Sequence, residues 1–218
     1  MKDDWEKELN RQRDSRRNEI ICSAEKLFLL RDLPGVSMMD IASNVGISRV
    51  TLYKYYNSID EIAFEVQMKI LKAKEIVSRK AAAIGTNALE KVRNVLLAQF
   101  DLYRKRTDSF RYIGLFDHYY RHNYPTKELE ERYRDFLKDC PPIPELINEG
   151  LEDGSIRSDI PAHKLAVFIG NSFISVAERM ASRGNILRHE QNIDPDEQVL
   201  QVIEMIVEYI KADRHPST

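Results

Sequence analysis

The chain has 218 residues, of which 31% are charged and 43% are apolar, and its formal net charge at pH 7 is −2. This composition is that of a globular protein with a sizeable core, and it excludes a chain that is basic throughout but not a local cationic patch for nucleic acid. Two cysteines are too few for a disulfide framework, and the N-terminus is too charged for a signal peptide. No apolar run approaches the roughly 18 residues that cross a bilayer. We therefore expect a cytoplasmic protein without membrane contact.

Three short helices are predicted in the first 60 residues, at about 15–31, 38–45 and 48–55. Two pairs, Ser37 with Asp40 and Ser58 with Glu61, have the spacing of capping boxes that begin helices. Gly46 can adopt the left-handed conformation that ends the second helix. We therefore expect compact helices joined by tight turns in this part of the chain.

The second and third helices, joined by the sequence NVGIS, have the pattern of a helix-turn-helix. In this motif the second helix enters the major groove of DNA with its N-terminus first. A short helical pair with a glycine turn also occurs in proteins that never bind DNA, so a purely structural hairpin is the alternative. The predicted inner face consists of Ile41, Ala42, Val45, Ile47 and Leu52, covered by Ile20, Ala24, Leu27 and Phe28 of the first helix.

The outward side of the third helix suits a groove lined by phosphates. The hydroxyls of Thr51 and Tyr53 can donate to phosphate oxygens, whereas Arg49 can present two N–H groups to guanine and Val50 can touch a thymine methyl. The segment RQRDSRR further upstream is a candidate basic arm for the flanking backbone. With the serines that head helices, whose free N–H groups favour an anion, the predicted DNA-binding residues are Ser37, Ser48, Arg49, Val50, Thr51, Tyr53, Lys54, Tyr55 and Ser58.

From about residue 60 onward the apolar periodicity is typical of longer helices, and no hairpin or repeat signal is present. We predict an all-α protein of eight to ten helices, with a helix-turn-helix domain and basic N-terminal arm at 1–60 and a helical bundle at 61–218. A helix predicted late in the chain carries small residues that allow another helix to approach closely. Together with the apolar face of residues 199–210, it indicates a two-fold interface of four helices between two subunits. The alternative is that these residues pack within one subunit. The small residues are Ala166, Gly170, Ala177 and Ala181.

Eight of the nineteen aromatic residues lie between Phe100 and Tyr124. They favour the wall of a pocket for an apolar or aromatic small molecule, although aromatic residues can also simply fill a bundle of this size. The candidate ligand-binding residues are Tyr103, Tyr112, Phe116, Tyr119, Phe168 and Phe173.

Two histidines, His118 and His122, have the one-turn spacing of a metal site, but the sequence supplies no convincing third ligand. We therefore expect a solvated pair, no metal and no cofactor. The chain also offers no paired carboxylates, nucleophile–base pair or phosphate loop, so we expect no enzyme.

The first 65 or so residues closely resemble the DNA-binding domain of the TetR family of transcriptional regulators. The resemblance rests on Ile20, Ala24, Leu27-Phe28, Val36-Ser37-Met38, Ile41-Ala42, Val45-Gly46-Ile47-Ser48, Thr51-Leu52-Tyr53, Tyr55-Tyr56, Ser58 and Asp60-Glu61-Ile62. It implies an all-α homodimer of about nine helices, whose C-terminal helices form the dimer interface and enclose a small-molecule pocket. Three positions depart from the family pattern, namely Asp32, Val50 and Ile59.

These features lead to two hypotheses. The first is a ligand-responsive regulator that acts as a repressor. It would bind a near-palindromic operator as a homodimer and be released by a small-molecule effector in the bundle. The alternative is a DNA-binding protein whose C-terminal bundle is a protein-interaction platform without an effector.

Overall fold

The computed structural model describes residues 2–138 and 142–212, with side chains from Trp5 onward; Cys140 lies outside these residues. Within them the chain forms no strand, only an isolated β-bridge between Ile156 and Lys211. The all-α prediction is confirmed, and none of the described helices is both long and apolar enough to cross a membrane. The ten α-helices of the described residues are α1 (Lys2–Arg31), α2 (Met38–Val45), α3 (Arg49–Tyr53), α4 (Ile59–Ala82), α5 (Ala88–Lys105), α6 (Thr107–Tyr119), α7 (Lys127–Lys138), α8 (Ile143–Glu152), α9 (Ala162–Gln191) and α10 (Pro195–Ile210).

The chain divides into two compact units. The first comprises the chain up to Ile70 together with Leu115–Lys138, and the second comprises Leu71–Gly114 and the chain after Lys138. The first unit thus contains α1 to α3 and α7 whole, whereas α4 and α6 each contribute to both units. The functional division into 1–60 and 61–218 stays a prediction.

Helix α1 begins at Lys2, well before the predicted start at about residue 15. The added residues are largely Glu, Lys, Arg and Gln, which lose little side-chain freedom in a helix. The basic segment 11–17 is therefore part of α1 and does not precede it as a separate arm, and Arg16 pairs with Glu19 at 2.7 Å.

Two of the local signals appear in full and one only in part. At α2 the amide N–H of Asp40 donates to Ser37 Oγ (3.2 Å) and that of Ser37 donates to the Asp40 carboxylate (2.9 Å), so this capping box is confirmed. Gly46 is left-handed (φ 77°, ψ 32°), as predicted. At α4 the Ser58 hydroxyl accepts from Glu61 N (3.1 Å), but the Glu61 carboxylate accepts from Asn57 N (2.8 Å) and not from Ser58. In this predicted capping box the bond from the backbone N–H of Ser58 to Glu61 is therefore wrong, because the donor is the preceding residue, Asn57.

In the first unit, α1 packs against α2, and α2 against α3, around fully buried apolar side chains such as Phe28, Ile41 and Leu52. Val45 and Ile47, predicted for the same face, are half-buried. A second cluster of this unit surrounds Phe64 of α4, whose ring meets Phe116, Tyr120, Tyr124 and Tyr133 at centroid distances of 4.9 to 5.9 Å.

In the second unit, α10 packs against α9 and α5, and α8 packs against α5 and α9. Their shared core is apolar, with Val92, Ile147, Ile169 and Ile203 fully buried. The long helices that the apolar periodicity predicts after about residue 60 include α5, α9 and α10, which have 18, 30 and 16 residues. The apolar periodicity therefore predicted these three helices correctly.

Candidate nucleic-acid interface and ligand sites

The turn between α2 and α3 sets the direction in which α3 points. Gly46 N donates to the carbonyls of Ala42 and Ser43, and Ile47 N donates to Ala42 O at 3.0 Å, which satisfies the carbonyls at the end of α2. Ser48 then caps α3, its hydroxyl accepting from Thr51 N at 3.0 Å. Because Leu52 is fully buried, the opposite side of this short helix must face solvent.

Helix α3 presents a mixed cationic, apolar and aromatic surface. Val50 is 72% exposed and Tyr53 40% exposed, and Arg49 and Lys54 are exposed as well. Because 72% of Val50 stays exposed, this side chain buries little apolar surface in the unit. Such a surface is suited to base edges and phosphates.

Arg49 and Tyr53 form a pair one turn apart on α3. The guanidinium Nη2 donates to the Tyr53 hydroxyl at 3.3 Å, and its central carbon lies 5.4 Å from the centre of the ring. The pair combines a charge-assisted hydrogen bond with a cation–π contact. Tyr53 was predicted as a phosphate donor; in the structure its hydroxyl also accepts a hydrogen bond from Arg49, and its ring lies beside the guanidinium.

The predicted hydroxyl donors differ in their availability. The hydroxyls of Ser48 and Thr51 lie 2.8 Å apart and bond to each other, so only one of their two hydrogens is left for a phosphate. Ser37 is exposed, but the adjoining Asp40 carboxylate carries a negative charge, since hydrogen bonds from Ser37 hold the pKa of Asp40 below its ordinary value. Arg31 offsets this charge at 3.2 Å.

The remaining two predicted DNA contacts, Tyr55 and Ser58, are half-buried. The Ser58 hydroxyl accepts from Glu61 N at 3.1 Å, which leaves its hydrogen free to donate. Four of the nine residues lie on α3, and Ser48, Ser37 and Ser58 lie at the starts of α3, α2 and α4. Lys54 and Tyr55 lie just beyond α3, because this helix ends at Tyr53 and not at about residue 55 as predicted. The contact of all nine residues with DNA stays a prediction.

Two features near this surface were not predicted. Met39 of α2 is exposed, and Arg17 of α1 lies over the ring of Tyr56 at 5.9 Å. The periodicity of residues 38–45 predicts that α2 has an outward side but does not mark Met39 as a contact. The Arg17–Tyr56 pair joins positions far apart in the sequence, so no local signal indicates it.

The predicted ligand-binding residues occupy different surroundings. Tyr103 and Phe173 are buried in the second unit, where Phe110 lies between them with ring centroids at 5.6 and 6.4 Å. Tyr112 is fully buried in the same unit, whereas Phe116 belongs to the cluster around Phe64. The other two residues, Tyr119 and Phe168, are exposed. Their role in binding a ligand stays a prediction.

An apolar groove of about 840 Å³ runs between α9 and α10 on the surface of the second unit. Phe168 lies against Tyr209 at a centroid distance of 4.8 Å, and Met205 beside them is 70% exposed. We call this surface the α9–α10 groove. It is lined by Phe168, Asn171, Ser172, Ser175, Val176, Val202, Met205, Ile206, Glu208 and Tyr209.

The four small residues that indicated an interface do not form one continuous exposed stripe. Ala177 is fully buried in the core of the second unit, whereas Gly170 is exposed, with open space where a Cβ would be. Ala166 and Ala181 pack partly against the core. For Ala177, the interpretation as an interface residue is wrong, because this position faces the core of its own subunit.

His118 and His122 are both exposed. No group of three or more histidine, cysteine or acidic side chains in the described part of the chain is arranged to hold a metal ion.

Comparison with known proteins agrees with this geometry. Residues 20–66 match the family model described as bacterial regulatory proteins, tetR family. The HTH-type transcriptional repressor KstR2 of Mycolicibacterium smegmatis is 26% identical over 188 residues, which cover 81% of this chain and 84% of that protein. The HTH-type transcriptional activator FasR of the same organism is 26% identical over 101 residues, 46% of each chain.

The fold is also shared with a solved regulator. The structure of FadR from Bacillus subtilis in complex with stearoyl-CoA superposes with a TM-score of 0.71 at 16% identity, covering 88% of this chain and 98% of that one.

Proposed function

We propose that this chain, a member of the TetR family of transcriptional regulators, is a homodimeric repressor that binds a near-palindromic operator and is released by a small-molecule effector. The proposal rests mainly on the outward surface of α3. Leu52 is buried, so the side of the helix that carries Arg49, Val50 and Tyr53 faces solvent. We place the regulator in the cytoplasm.

Sequence reading is assigned to the first turn of α3. A guanidinium can donate two hydrogen bonds to O6 and N7 of guanine, and an exposed valine can contact the methyl group of thymine. Lys54 and the hydroxyls of Thr51 and Tyr53 would then bind the flanking phosphates. The basic part of α1 adds Arg11, Arg13, Arg16 and Arg17 to the cationic surface available to the backbone.

Selection of bound duplexes from a random DNA pool tests this assignment. We expect a near-palindrome whose affinity falls with rising salt, because Lys and Arg displace counterions from phosphates. Arg49→Ala should relax the preference at one base position of each half-site, whereas Lys54→Ala should weaken all sequences alike. Recovery of weak, sequence-independent binding that neither substitution alters would contradict the assignment.

A second copy of the chain is the proposed occupant of the α9–α10 groove. An exposed apolar surface of this size is unusual on a monomer. Its walls come from two long neighbouring helices, so a two-fold axis beside the groove would bring four helices together and place the same side chains opposite one another. Phe168, Met205 and Tyr209 are the expected anchors of this interface.

Analytical ultracentrifugation tests the dimer. The native protein should sediment with twice the 25.4 kDa mass of the chain. Met205→Glu should produce a monomer, because it buries an unpaired charge in the interface. The matched control is Ile84→Glu, which also changes an exposed apolar residue but lies outside the groove. A native monomer, or a dimer indifferent to Met205→Glu, would exclude this interface.

Repression is preferred over activation because the repressor among the two relatives matches most of the chain, whereas the activator matches 46% of it. An apolar effector is supported by the aromatic residues of the bundle and by the ligand of the FadR structure, stearoyl-CoA. Effector binding would release DNA by favouring the conformation that binds the operator less well, and a coupling of about 1–3 kcal/mol suffices.

Fluorescence anisotropy tests the effector class by measuring whether stearoyl-CoA releases the selected operator from the protein. Coenzyme A and stearate are tested separately in the same assay. Phe173→Ala and Tyr112→Phe are the first variants, since both residues are buried in the second unit. Loss of release in these variants with unchanged operator affinity supports a ligand site in the bundle. If no apolar compound releases the operator, a bundle that acts as a protein-interaction platform takes its place.

A further inference from the structure

A small polar cavity lies within the second unit where α5, α6, α9 and α10 meet. Its volume is about 210 Å³, and it shares no lining residue with the α9–α10 groove. Tyr103 and Thr107 line one side, Ser182, Arg183 and Arg188 of α9 line another, and Asp196 lies at the start of α10.

The close approach of α9 to α10 is fixed beside this cavity by a glycine. A Cβ added at Gly184 would lie 2.9 Å from Pro195 Cγ, nearer than real side chains come. Gly184 therefore allows the first turn of α10 to rest on α9, which brings Asp196 and the α9 side chains to the same cavity.

Tyr103 is the most enclosed polar group of the cavity. The residue is only 3% exposed. Its hydroxyl is not among the fully buried polar atoms that lack a partner, and it is bonded to no described residue, so it is open to the cavity. Burial raises the pKa of Tyr103, and the carboxylates of Asp196 and Asp194 raise it further. The hydroxyl therefore keeps its proton and lies at the α10 end of the cavity as a donor.

The two arginines of the cavity have weak partners. Arg183 and Arg188 lie 3.6 Å from Glu190 and Asp194, respectively, which is too long for a hydrogen bond. The cavity's own carboxylate, Asp196, is instead paired with Arg104 at 3.1 Å. The lining thus has several donors, and its one acidic side chain already has a partner, Arg104, that is not part of the lining.

We propose that this cavity binds a small oxyanion, either a carboxylate or a phosphate group. One guanidinium would bind two oxygens side by side, and the Tyr103 hydroxyl would donate to one of these in a carboxylate or to a third oxygen in a phosphate. Because one water occupies about 30 Å³ of liquid, the cavity holds about seven non-hydrogen atoms. The group held inside the cavity is therefore small and distinct from the apolar effector. Because Arg183 and Arg188 are exposed, the cavity is open to solvent on their side.

Isothermal titration calorimetry on the full chain tests the proposal, with sodium malonate and inorganic phosphate as probes at a constant ionic strength set by chloride. We expect saturable binding of one anion per chain by at least one probe. Tyr103→Phe and Arg188→Gln should each weaken binding at least tenfold, because each removes a donor. Arg179→Gln is the matched control, since Arg179 is an exposed arginine of α9 outside the cavity.

The pattern of responses separates the possible occupants. Binding of malonate alone identifies a carboxylate site, and binding of phosphate alone identifies a phosphate site. Absence of saturable binding by both probes would overturn the proposal. An equal loss in Arg179→Gln and Arg188→Gln would also overturn it, because it would show nonspecific attraction of the anion to the surface and no site in the cavity. Circular dichroism and unliganded melting curves establish that Tyr103→Phe is folded. Since no DNA enters the assay, either result leaves the operator proposal to its own test.

Discussion

Tyr53 should contribute to operator affinity through Arg49 as well as through the phosphate backbone. Its hydroxyl accepts from Arg49 at 3.3 Å and its ring supports the guanidinium at 5.4 Å. At an exposed site the hydrogen bond is worth about 0.5–1 kcal/mol and the cation–π contact about 0.5–1 kcal/mol. Because the pair also exists without DNA, these energies are upper limits for what holding Arg49 in place adds to affinity. Tyr53→Phe should therefore weaken operator binding by up to about fivefold, and Tyr53→Ala by up to about thirtyfold.

Fluorescence anisotropy at a fixed salt concentration measures both effects on the selected operator. In a double-mutant cycle, Arg49→Ala combined with Tyr53→Ala should lose less than the sum of the two single losses, by about 1 kcal/mol. Tyr124→Phe, which removes a tyrosine hydroxyl from the segment between α6 and α7, controls for nonspecific effects. Strict additivity would refute the reasoning, because it would mean that Tyr53 binds DNA without positioning Arg49.

Three further predictions concern local geometry. Gly46→Ala should lower the free energy of unfolding by about 1 kcal/mol, as measured by chemical denaturation. The loss comes from the left-handed backbone, with φ at 77°, and not from a clash, since no neighbour lies within 4 Å of the added methyl. Gly46→Asn should cost less, because asparagine tolerates this conformation better. Gly150→Ala should cost roughly 1–3 kcal/mol in the same assay because a Cβ there would lie 2.8 Å from Ile156 Cβ. Ile156→Ala is destabilising by itself because Ile156 is buried, but the loss in the double variant should be smaller than the sum of the two single losses. The pKa of Asp40 is lowered in the folded state, chiefly by hydrogen bonds from Ser37. The ionised carboxylate therefore adds to the free energy of unfolding above the unfolded pKa of about 3.9, and this stabilisation is lost as the pH falls through the lower pKa of the folded state. The melting temperature of Asp40→Asn should accordingly lie below that of the native protein at pH 7, and the difference should vanish at acid pH; a difference independent of pH would contradict this.

The helix-turn-helix was predictable because its determinants are local. A serine three residues before an acidic side chain, and a glycine free to take positive φ, set the start and the end of α2 without help from the rest of the fold. The length of α1 was underestimated for the opposite reason. Its N-terminal residues lack an apolar stripe, so periodicity gave no signal, and only the helix propensity of the charged residues favours the observed extension.

The faces and surroundings of the later helices were harder to predict. Periodicity located α9, but it did not establish that Ala177 would be buried in its own subunit while Gly170 stayed exposed. The aromatic residues of positions 100–124 looked like one set, yet Phe110 belongs to the core of the second unit and Phe116 to the cluster around Phe64 in the first. Which residues meet depends on contacts between segments distant in sequence, and a local pattern carries no information about them.

Affinity cleavage from Val50 tests most directly whether α3 reads the operator. A Val50→Cys variant, with Cys22 and Cys140 replaced by serine, would carry an iron chelate that cuts nearby DNA, and the same background without the new cysteine is the control. Because Val50 is 72% exposed at the start of α3, we predict two symmetric groups of cuts, one in each half-site, separated by about 10–10.5 base pairs or a multiple of that distance. Cutting spread evenly along the duplex, or absent despite retained DNA binding, would contradict the assignment of α3 as the recognition helix.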